Sequence, residues 1–236
     1  HITPKDLGEA LVNAIEVSPH DPATVYVAAT KYKMNDFTPF AYKSNDYGKT
    51  WTKIVNGIPY GACVRVVRED ERRKGLLFAG TETGLYISYD DGANWKNFQR
   101  NLPVTPITDL KVHKGNLIAS TQGRGFWILD ELQPIRSFDP EAAAQVKLLP
   151  IPETFRVSGY SMFDNNRQSS EKYPQTTGAN PATGAVIYYH LPENADSIKS
   201  VVLEVKDRNG NLVRTFSNNP PKSKSNNSFR LELHFP

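Results

Sequence analysis

The side chains of this 236-residue chain that could carry chemistry are a few carboxylates, arginines and a tyrosine. A glycoside hydrolase needs two carboxyl groups facing each other, roughly 5–10 Å apart depending on stereochemistry. The candidates outside any repeated motif are Asp36, Glu82, Asp109 and Asp130. Sialidase-type chemistry needs arginines around a carboxylate and a tyrosine nucleophile. Residues of those types are Arg65, Arg124 and Tyr86. No motif ties any of these residues together, so we assign no catalytic residue.

The sequence lacks the usual motifs for binding metals or nucleotides. The five histidines are isolated, without the His/Cys/carboxylate spacings that make a metal-ligand set. Serine-hydrolase and P-loop patterns are also absent. The single Cys63 lies in an apolar run, and we interpret it as a small buried hydrophobe. We therefore predict neither a metal nor a cofactor.

The net charge of +3 is dispersed along the chain. Its densest cluster, residues 68–74, mixes both signs and falls on a predicted hairpin turn, so we interpret it as solvated. Nucleic-acid binding requires a stripe of one sign, and we predict no nucleic-acid partner. No apolar run approaches the roughly 20 residues that span a bilayer. The first residue is His1 rather than Met, which suggests a processed or excised piece.

One motif, Ser-x-Asp-x-Gly-x-x-Trp, occurs twice, with its serines 44 residues apart. That spacing is the length of one propeller blade. Ser and Asp side chains accept hydrogen bonds from nearby backbone N–H groups and lock a tight turn. Glycine supplies a positive φ, and the Trp ring is expected between neighbouring sheets. These residues are interpreted as structural: Ser44, Asp46, Gly48, Trp51, Ser88, Asp90, Gly92 and Trp95.

Around each motif, the pattern predicts four short strands with turn signals between them and no sustained helical period. A third, degenerate copy spans residues 107–129, and residues 130–134 replace its motif. The fold class predicted is all-β, with four-stranded propeller blades. Residues 1–150 hold about three blades of an incomplete ring.

Beyond residue 150 the repeat stops. Residues 151–184 are interpreted as a linker, and residues 185–236 as part of an immunoglobulin-like β-sandwich, with a last strand at 229–235. Asn209-Gly210 predicts a hairpin turn between two of its strands. Only residues 140–145 have helix-like composition.

Two stretches are candidates for ligand binding. Residues 123–127 carry one residue more than the corresponding turn of the second unit, which suggests a bulge. Arg124 could point into a central channel and bind an acidic or sugar ligand; alternatively, it pairs with a carboxylate of a neighbouring blade while Trp127 fills the core. The insertion at 31–40 could form a binding surface or a packed loop. The candidate ligand-binding residues are Gln122, Arg124, Trp127 and Tyr32.

The two motifs, residues 68–82 and residues 122–130 together resemble the sortilin-like, Asp-box (BNR-repeat) propeller proteins of the Bacteroidetes, often labelled glycosyl hydrolases. Residues 178–189 resemble the start of the immunoglobulin-like domain that follows the propeller in that family. The resemblance implies a longer parent with more blades and an extracytoplasmic, cell-surface or secreted setting. About three blades cannot close a ring, so further blades are expected in the same chain or from another.

These patterns favour an extracytoplasmic recognition scaffold that binds glycan or protein and is non-catalytic in this chain. One alternative is a fragment of a glycoside hydrolase whose active site is completed by other blades. A second alternative is a structural subunit of a surface assembly.

Overall fold

The computed structural model describes residues 2–140, 146–151, 185–192 and 200–218. The chain divides into two compact units. One contains His1–Pro140 and Leu149–Tyr188, and the other contains Glu141–Leu148 and Tyr189–Pro236.

The described part of the first unit contains three antiparallel sheets, each a meander in which strands adjacent in sequence are adjacent in space. The first sheet consists of β1 (Leu11–Val17), β2 (Val25–Lys31), β3 (Asp36–Ser44) and β4 (Thr52–Lys53), with a 3₁₀ turn at Tyr32–Met34. The second consists of β5 (Val64–Glu69), β6 (Leu77–Thr81), β7 (Gly84–Ser88) and β8 (Lys96–Asn97). The third consists of β9 (Ile107–His113), β10 (Asn116–Thr121) and β11 (Phe126–Leu129), and helix α1 (Gln133–Ser137) follows it. The fold is therefore all-β and built of propeller blades, as the sequence predicted.

The blades repeat position by position. Strand register places Glu16 of β1, Arg68 of β5 and Lys111 of β9 at equivalent positions. The residues opposite them on the second strands are Tyr26, Phe78 and Ile118. Two apolar clusters join the blades: one between the first and second, including Tyr26 and Val67, and one between the second and third, including Phe78 and Leu110. Strand β5 lies against both β1 and β9, so the first strands form one common edge.

The charged turn at residues 68–74 is solvated only in part: Glu71, Arg72 and Lys74 are exposed, but Glu69 and Asp70 are buried, and for these two the interpretation was wrong. Asp70 is fully buried and accepts backbone N–H groups of Arg72 and Arg73 at 2.9 and 2.7 Å. Arg136 of α1 forms a bidentate ion pair with Asp70, its Nη2 atom lying 2.7 Å from Oδ2. Arg73 in turn donates to main-chain carbonyls of the α1 segment, including that of Arg136 at 2.9 Å. The α1 segment covers this turn, and the Asp70 carboxylate is paired rather than hydrated.

The helix itself was not predicted from sequence. It is five residues long, with Pro134 in its first turn, where a missing N–H costs nothing. Of the segment with helix-like composition, residues 140–145, all but residue 140 lie outside the described residues.

The second unit contains two small antiparallel pairs in its described part. Strand β12 (Lys147–Leu148) pairs with β13 (Tyr189–His190), and β14 (Val202–Lys206) pairs with β15 (Leu212–Ser217). The hairpin predicted around Asn209-Gly210 is confirmed: Gly210 has a φ of +85°, and Asp207 accepts the N–H of Asn211 at 2.9 Å. The predicted strand at 229–235 and residues 152–184 of the predicted linker lie outside the described residues.

Candidate functional site

Each blade has two edges, at opposite ends of its strands. The turns between second and third strands, together with the ends of the connectors that enter the next blade, lie at one edge, which we call the loop edge (residues 32–35, 82–83, 122–124, 58–63 and 98–106). The turns that carry the Ser-x-Asp-x-Gly-x-x-Trp motif lie at the opposite end of the strands, which we call the motif edge (residues 44–51 and 88–95). Any ligand surface must be sought separately on each.

The two motif turns have the same hydrogen bonds. Ser44 Oγ lies 2.8 Å from Asp46 Oδ1 and accepts the N–H of Gly48 at 2.9 Å. Ser88 Oγ lies 2.7 Å from Asp90 Oδ1 and accepts the corresponding glycine N–H, again at 2.9 Å. Each Asp also accepts the N–H of the residue four positions on, at 2.9 and 2.8 Å. Both serines and both carboxylates are used within their own turn.

The hydrogen bonds to these carboxylates set their pKa values. Side-chain and backbone donation from Thr50, with that from Ser44, lowers the pKa of Asp46 to about 2. Burial acts to raise the pKa of Asp90, but donation from Asn94 and Ser88 outweighs it, and the pKa is lowered. Both carboxylates are therefore held ionised, as acceptors in a turn require.

The two motif tryptophans differ in their surroundings. Trp95 is 4% exposed and its Nε1 donates to the carbonyl of Ile54 in the preceding connector at 2.9 Å. Trp51 is only half-buried, with its Nε1 donating to the carbonyl of Ile2. The expectation that both rings lie between sheets holds for Trp95 alone, because no described sheet lies on the Trp51 side.

The loop edge of the first blade carries an exposed aromatic cluster. Phe37 and Tyr60 pack edge to face, with ring centroids 6.5 Å apart and an interplanar angle of 81°. Gly61 donates its N–H to the carbonyl of Phe37 at 3.0 Å and so ties the connector to β3. Tyr60 is 71% exposed, and Tyr32 and Met34 of the 3₁₀ turn are exposed beside β3. We call Tyr32, Met34, Phe37 and Tyr60 the aromatic cluster; the sequence analysis singled out the insertion at 31–40, which contains the first three, but missed Tyr60.

Arg124 lies on the loop edge of the third blade. Its side chain is exposed, and within the described residues its guanidinium makes no ion pair. The turn beneath is fixed by the backbone: Gln122 donates to the carbonyl of Pro106 at 2.9 Å and accepts from Thr105 Oγ1 at 3.1 Å. Trp127 is half-buried, packs against the core between the second and third blades, and donates its Nε1 to the Arg124 carbonyl at 3.0 Å.

The register explains why Trp127 points inward. It occupies the position of Tyr42 and Tyr86 in the other blades, and Tyr86 faces the preceding blade. The extra residue of this stretch lies in the turn, which is one residue longer than that of the second blade, while the β10–β11 pairing is regular. The predicted bulge in this stretch is thus an enlarged turn.

The first strands carry an ion cluster that connects all three blades. Arg68 donates to Glu16 Oε2 at 2.9 Å, to Asp109 Oδ1 at 2.8 Å and to the Leu110 carbonyl at 2.8 Å. Burial raises the pKa of Glu16, and the positive charges of Arg68 and Lys111 oppose this. Sequence inspection singled out Asp109 but not its partners. The one available signal was a charged residue at the same strand position in each repeat.

The other candidate catalytic residues do not converge with this cluster. Glu82 is paired with Arg65, whose Nε lies 2.6 Å from Oε1. Asp36 accepts the N–H of Thr38 at 2.9 Å, and Tyr86 is buried in the core. Among the described residues, no group of three or more His, Cys, Asp or Glu side chains is arranged to hold a metal ion. Within the same residues, no helix is long and apolar enough to cross a membrane.

Comparison with known proteins yields partial structural likenesses. No protein-family model and no curated protein matches the chain. An ancestral GH74 enzyme aligns with 21% identity and a TM-score of 0.40, over 48% of this chain and 14% of that one. YCF48 bound to D1 peptide aligns with 16% identity and a TM-score of 0.40, over 54% of this chain and 40% of that one. An α-L-arabinanase of Penicillium chrysogenum complexed with arabinobiose aligns with 22% identity and a TM-score of 0.36, over 53% of this chain and 47% of that one. The chain spans less than two thirds of the length of each, and no family follows from these values.

Proposed function

We propose that this chain is part of an extracytoplasmic β-propeller that recognises a glycan or a protein through its loop edge, without catalysis by its own residues. The observation that carries the proposal is the aromatic cluster, exposed on the same edge as Arg124. Isolated exposed apolar side chains are ordinary, but grouped ones mark interaction sites, and here the rings of Phe37 and Tyr60 are in contact. Tyrosine, phenylalanine and arginine are also the residues enriched where partners bind tightly.

The chemistry of this edge suits ligands that are partly apolar and partly polar. Tyr60 presents a ring and a hydroxyl group, which can pack against the C–H face of a sugar or against a side chain of a protein. Arg124 offers a planar fork of N–H donors that fits a carboxylate or vicinal hydroxyl groups. The Gln122 side chain lies in the same turn and adds an amide.

The arrangement of the first strands supports a non-catalytic role. Glu16 and Asp109 both bind the guanidinium of Arg68, whereas a hydrolase needs its two carboxyl groups free to face the sugar. Further blades, in the same polypeptide or from another chain, complete the ring in this proposal. The extracytoplasmic setting follows from the family resemblance of the sequence.

The test is binding to an array of neutral and acidic oligosaccharides, run beside a pull-down from the native source. Two variants at the loop edge, Tyr60→Asn and Arg124→Ala, should lower binding at least about tenfold, since anchors of this type contribute about 1.4 kcal/mol or more. Tyr47→Asn is the matched control, because Tyr47 is 66% exposed but lies on the motif edge. Equal binding by all variants would refute the proposal. Binding of neither glycan nor protein would favour the structural-subunit alternative.

A glycoside hydrolase completed by other blades is the second candidate. It is favoured by one observation, the raised pKa of Glu16 near the exposed carboxylate of Asp109, since a general acid needs such a shift. In the full-length protein, Glu16→Gln and Asp109→Asn should then abolish release of reducing sugar. Loss of activity in both variants, with glycan binding retained, would establish the enzyme.

A further inference from the structure

The segment of residues 2–10 packs on the first blade as the connectors pack on the other two. The carbonyl of Ile2 accepts from Trp51 Nε1 as the carbonyl of Ile54 accepts from Trp95 Nε1. The side chain of Ile2 lies over Gly48 at the distances at which Ile54 lies over Gly92, since an added Cβ would meet it at 3.1 and 2.9 Å respectively.

The equivalence continues along the segment. Leu7 donates its N–H to the carbonyl three residues earlier, as do Ile58 and Leu102 in the two connectors. All three side chains are buried, at 1%, 7% and 8% exposure. The segment therefore reproduces both ends of a connector: the residue under the motif tryptophan and the aliphatic residue in the following turn.

The inner part of the same blade face is uncovered. Ile15 of β1 occupies the position of Val67 and Leu110 in the other blades. Those two residues are 2% and 1% exposed because the preceding blade covers them, whereas Ile15 is 64% exposed. Val17, two residues further along the same face, is 59% exposed. Two β-branched side chains on one face of a first strand are thus left in water, although the outer part of that face is packed.

We propose that this face of β1 is the docking surface for a further four-stranded blade that precedes the first blade in the same polypeptide. Residues 2–10 are the connector leaving that blade, and its outermost strand lies upstream of Ile2, as β4 leads directly into Ile54 and β8 into Phe98. The proposal rests on the propeller architecture within the proposed function, but not on the ligand.

The existing interfaces specify what this blade must present. Val67 packs in one cluster with Tyr26 and Ala28 of the preceding second strand. Leu110 packs with Phe78 in the next interface. The docking blade should accordingly carry a large apolar residue at the Tyr26 and Phe78 position of its own second strand. A blade in the same chain is favoured over a second copy because the connector is already seated at its site.

The experiment is thiol labelling of Ile15→Cys, measured in this 236-residue chain and in the full-length natural polypeptide. Native Cys63 is fully buried and does not compete. Lys49→Cys, exposed on the motif edge, is the matched control. We expect the thiol introduced by Ile15→Cys to react rapidly in the 236-residue chain and at least about tenfold more slowly in the full-length protein, because it must then wait for local opening. The control should react equally in both.

Equal labelling of Ile15→Cys in the two proteins overturns the proposal. It is also overturned if the thiol is protected in the 236-residue chain and light scattering shows a dimer that Ile15→Lys dissociates, since the occupant is then a second copy. Tyr60→Asn tests glycan or protein binding at the loop edge, away from this face of β1, so failure of the docking proposal and failure of the proposed function are distinguishable.

Discussion

Replacing Arg136 with methionine should destabilise the first unit more than any exposed charge change in this chain. The guanidinium is 5% exposed and its partner Asp70 is fully buried. Methionine keeps the apolar stem and removes only the charge and the donors. The carboxylate of Asp70 would then lie in the interior without the guanidinium that now balances its charge.

The magnitude follows from the contacts that remain. Removing one partner of a buried ion pair costs about 3–5 kcal/mol. Asp70 keeps the backbone N–H groups of Arg72 and Arg73, so the loss should lie near the lower end, about 3 kcal/mol. For a folded unit of this size, that loss lowers the Tm by about 6–12 °C.

The assay is urea and thermal unfolding followed by tryptophan fluorescence, because Trp51, Trp95 and Trp127 all lie in the first unit. Arg72→Met is the matched control: Arg72 is 64% exposed and lies 3.9 Å from Glu71. An exposed pair of this kind contributes about 0–1 kcal/mol. Adding Asp70→Asn to Arg136→Met should recover part of the loss, since the amide leaves no buried charge. If Arg136→Met is no more destabilising than Arg72→Met, the ion pair between Arg136 and Asp70 does not stabilise the first unit as argued.

Three further perturbations have expected outcomes. Trp95→Ala should cost about 3–5 kcal/mol in urea unfolding, because the ring is 4% exposed; Trp51→Ala, made on the half-buried ring, should cost less, and equal losses would contradict the assigned difference in packing. Asp46 has a folded pKa of about 2, below its unfolded value of about 3.9, so its stabilisation is complete above about pH 4 and lost as the pH falls towards about 2. In Asp46→Asn that part of the acid-unfolding curve should flatten, and an unchanged curve would count against the turn assignment. Cys63 is buried, and its thiol should react with a thiol reagent only at the rate of unfolding; rapid reaction in native buffer would show that β5 opens locally.

The turns whose hydrogen bonds are local in sequence were the part of this fold that could be predicted well. A motif that forms its own turn, such as residues 88–95, carries its hydrogen-bond partners within the turn itself. The Asn209-Gly210 turn is equally local. Contacts between blades could not be predicted in this way: Arg136 reaches Asp70 across 66 residues, and no spacing rule connects them. The charged turn was interpreted as solvated because the partner of Asp70, Arg136, lies far along the chain.

Arg68 shows why residue type alone could not separate the enzyme from the recognition module. Asp109 was a reasonable carboxylate candidate, and Glu16 lies at the strand position that carries Arg68 in the next blade and Lys111 in the one after. That position is acidic in the first blade and basic in the next two. Glu16 therefore pairs with a guanidinium rather than facing a second free carboxylate. A ligand that bound between them would have to displace an ion pair whose arginine is only 17% exposed. Arg124, at the loop edge, has no such ion pair among the described residues, so in the proposed function a ligand bound there displaces none.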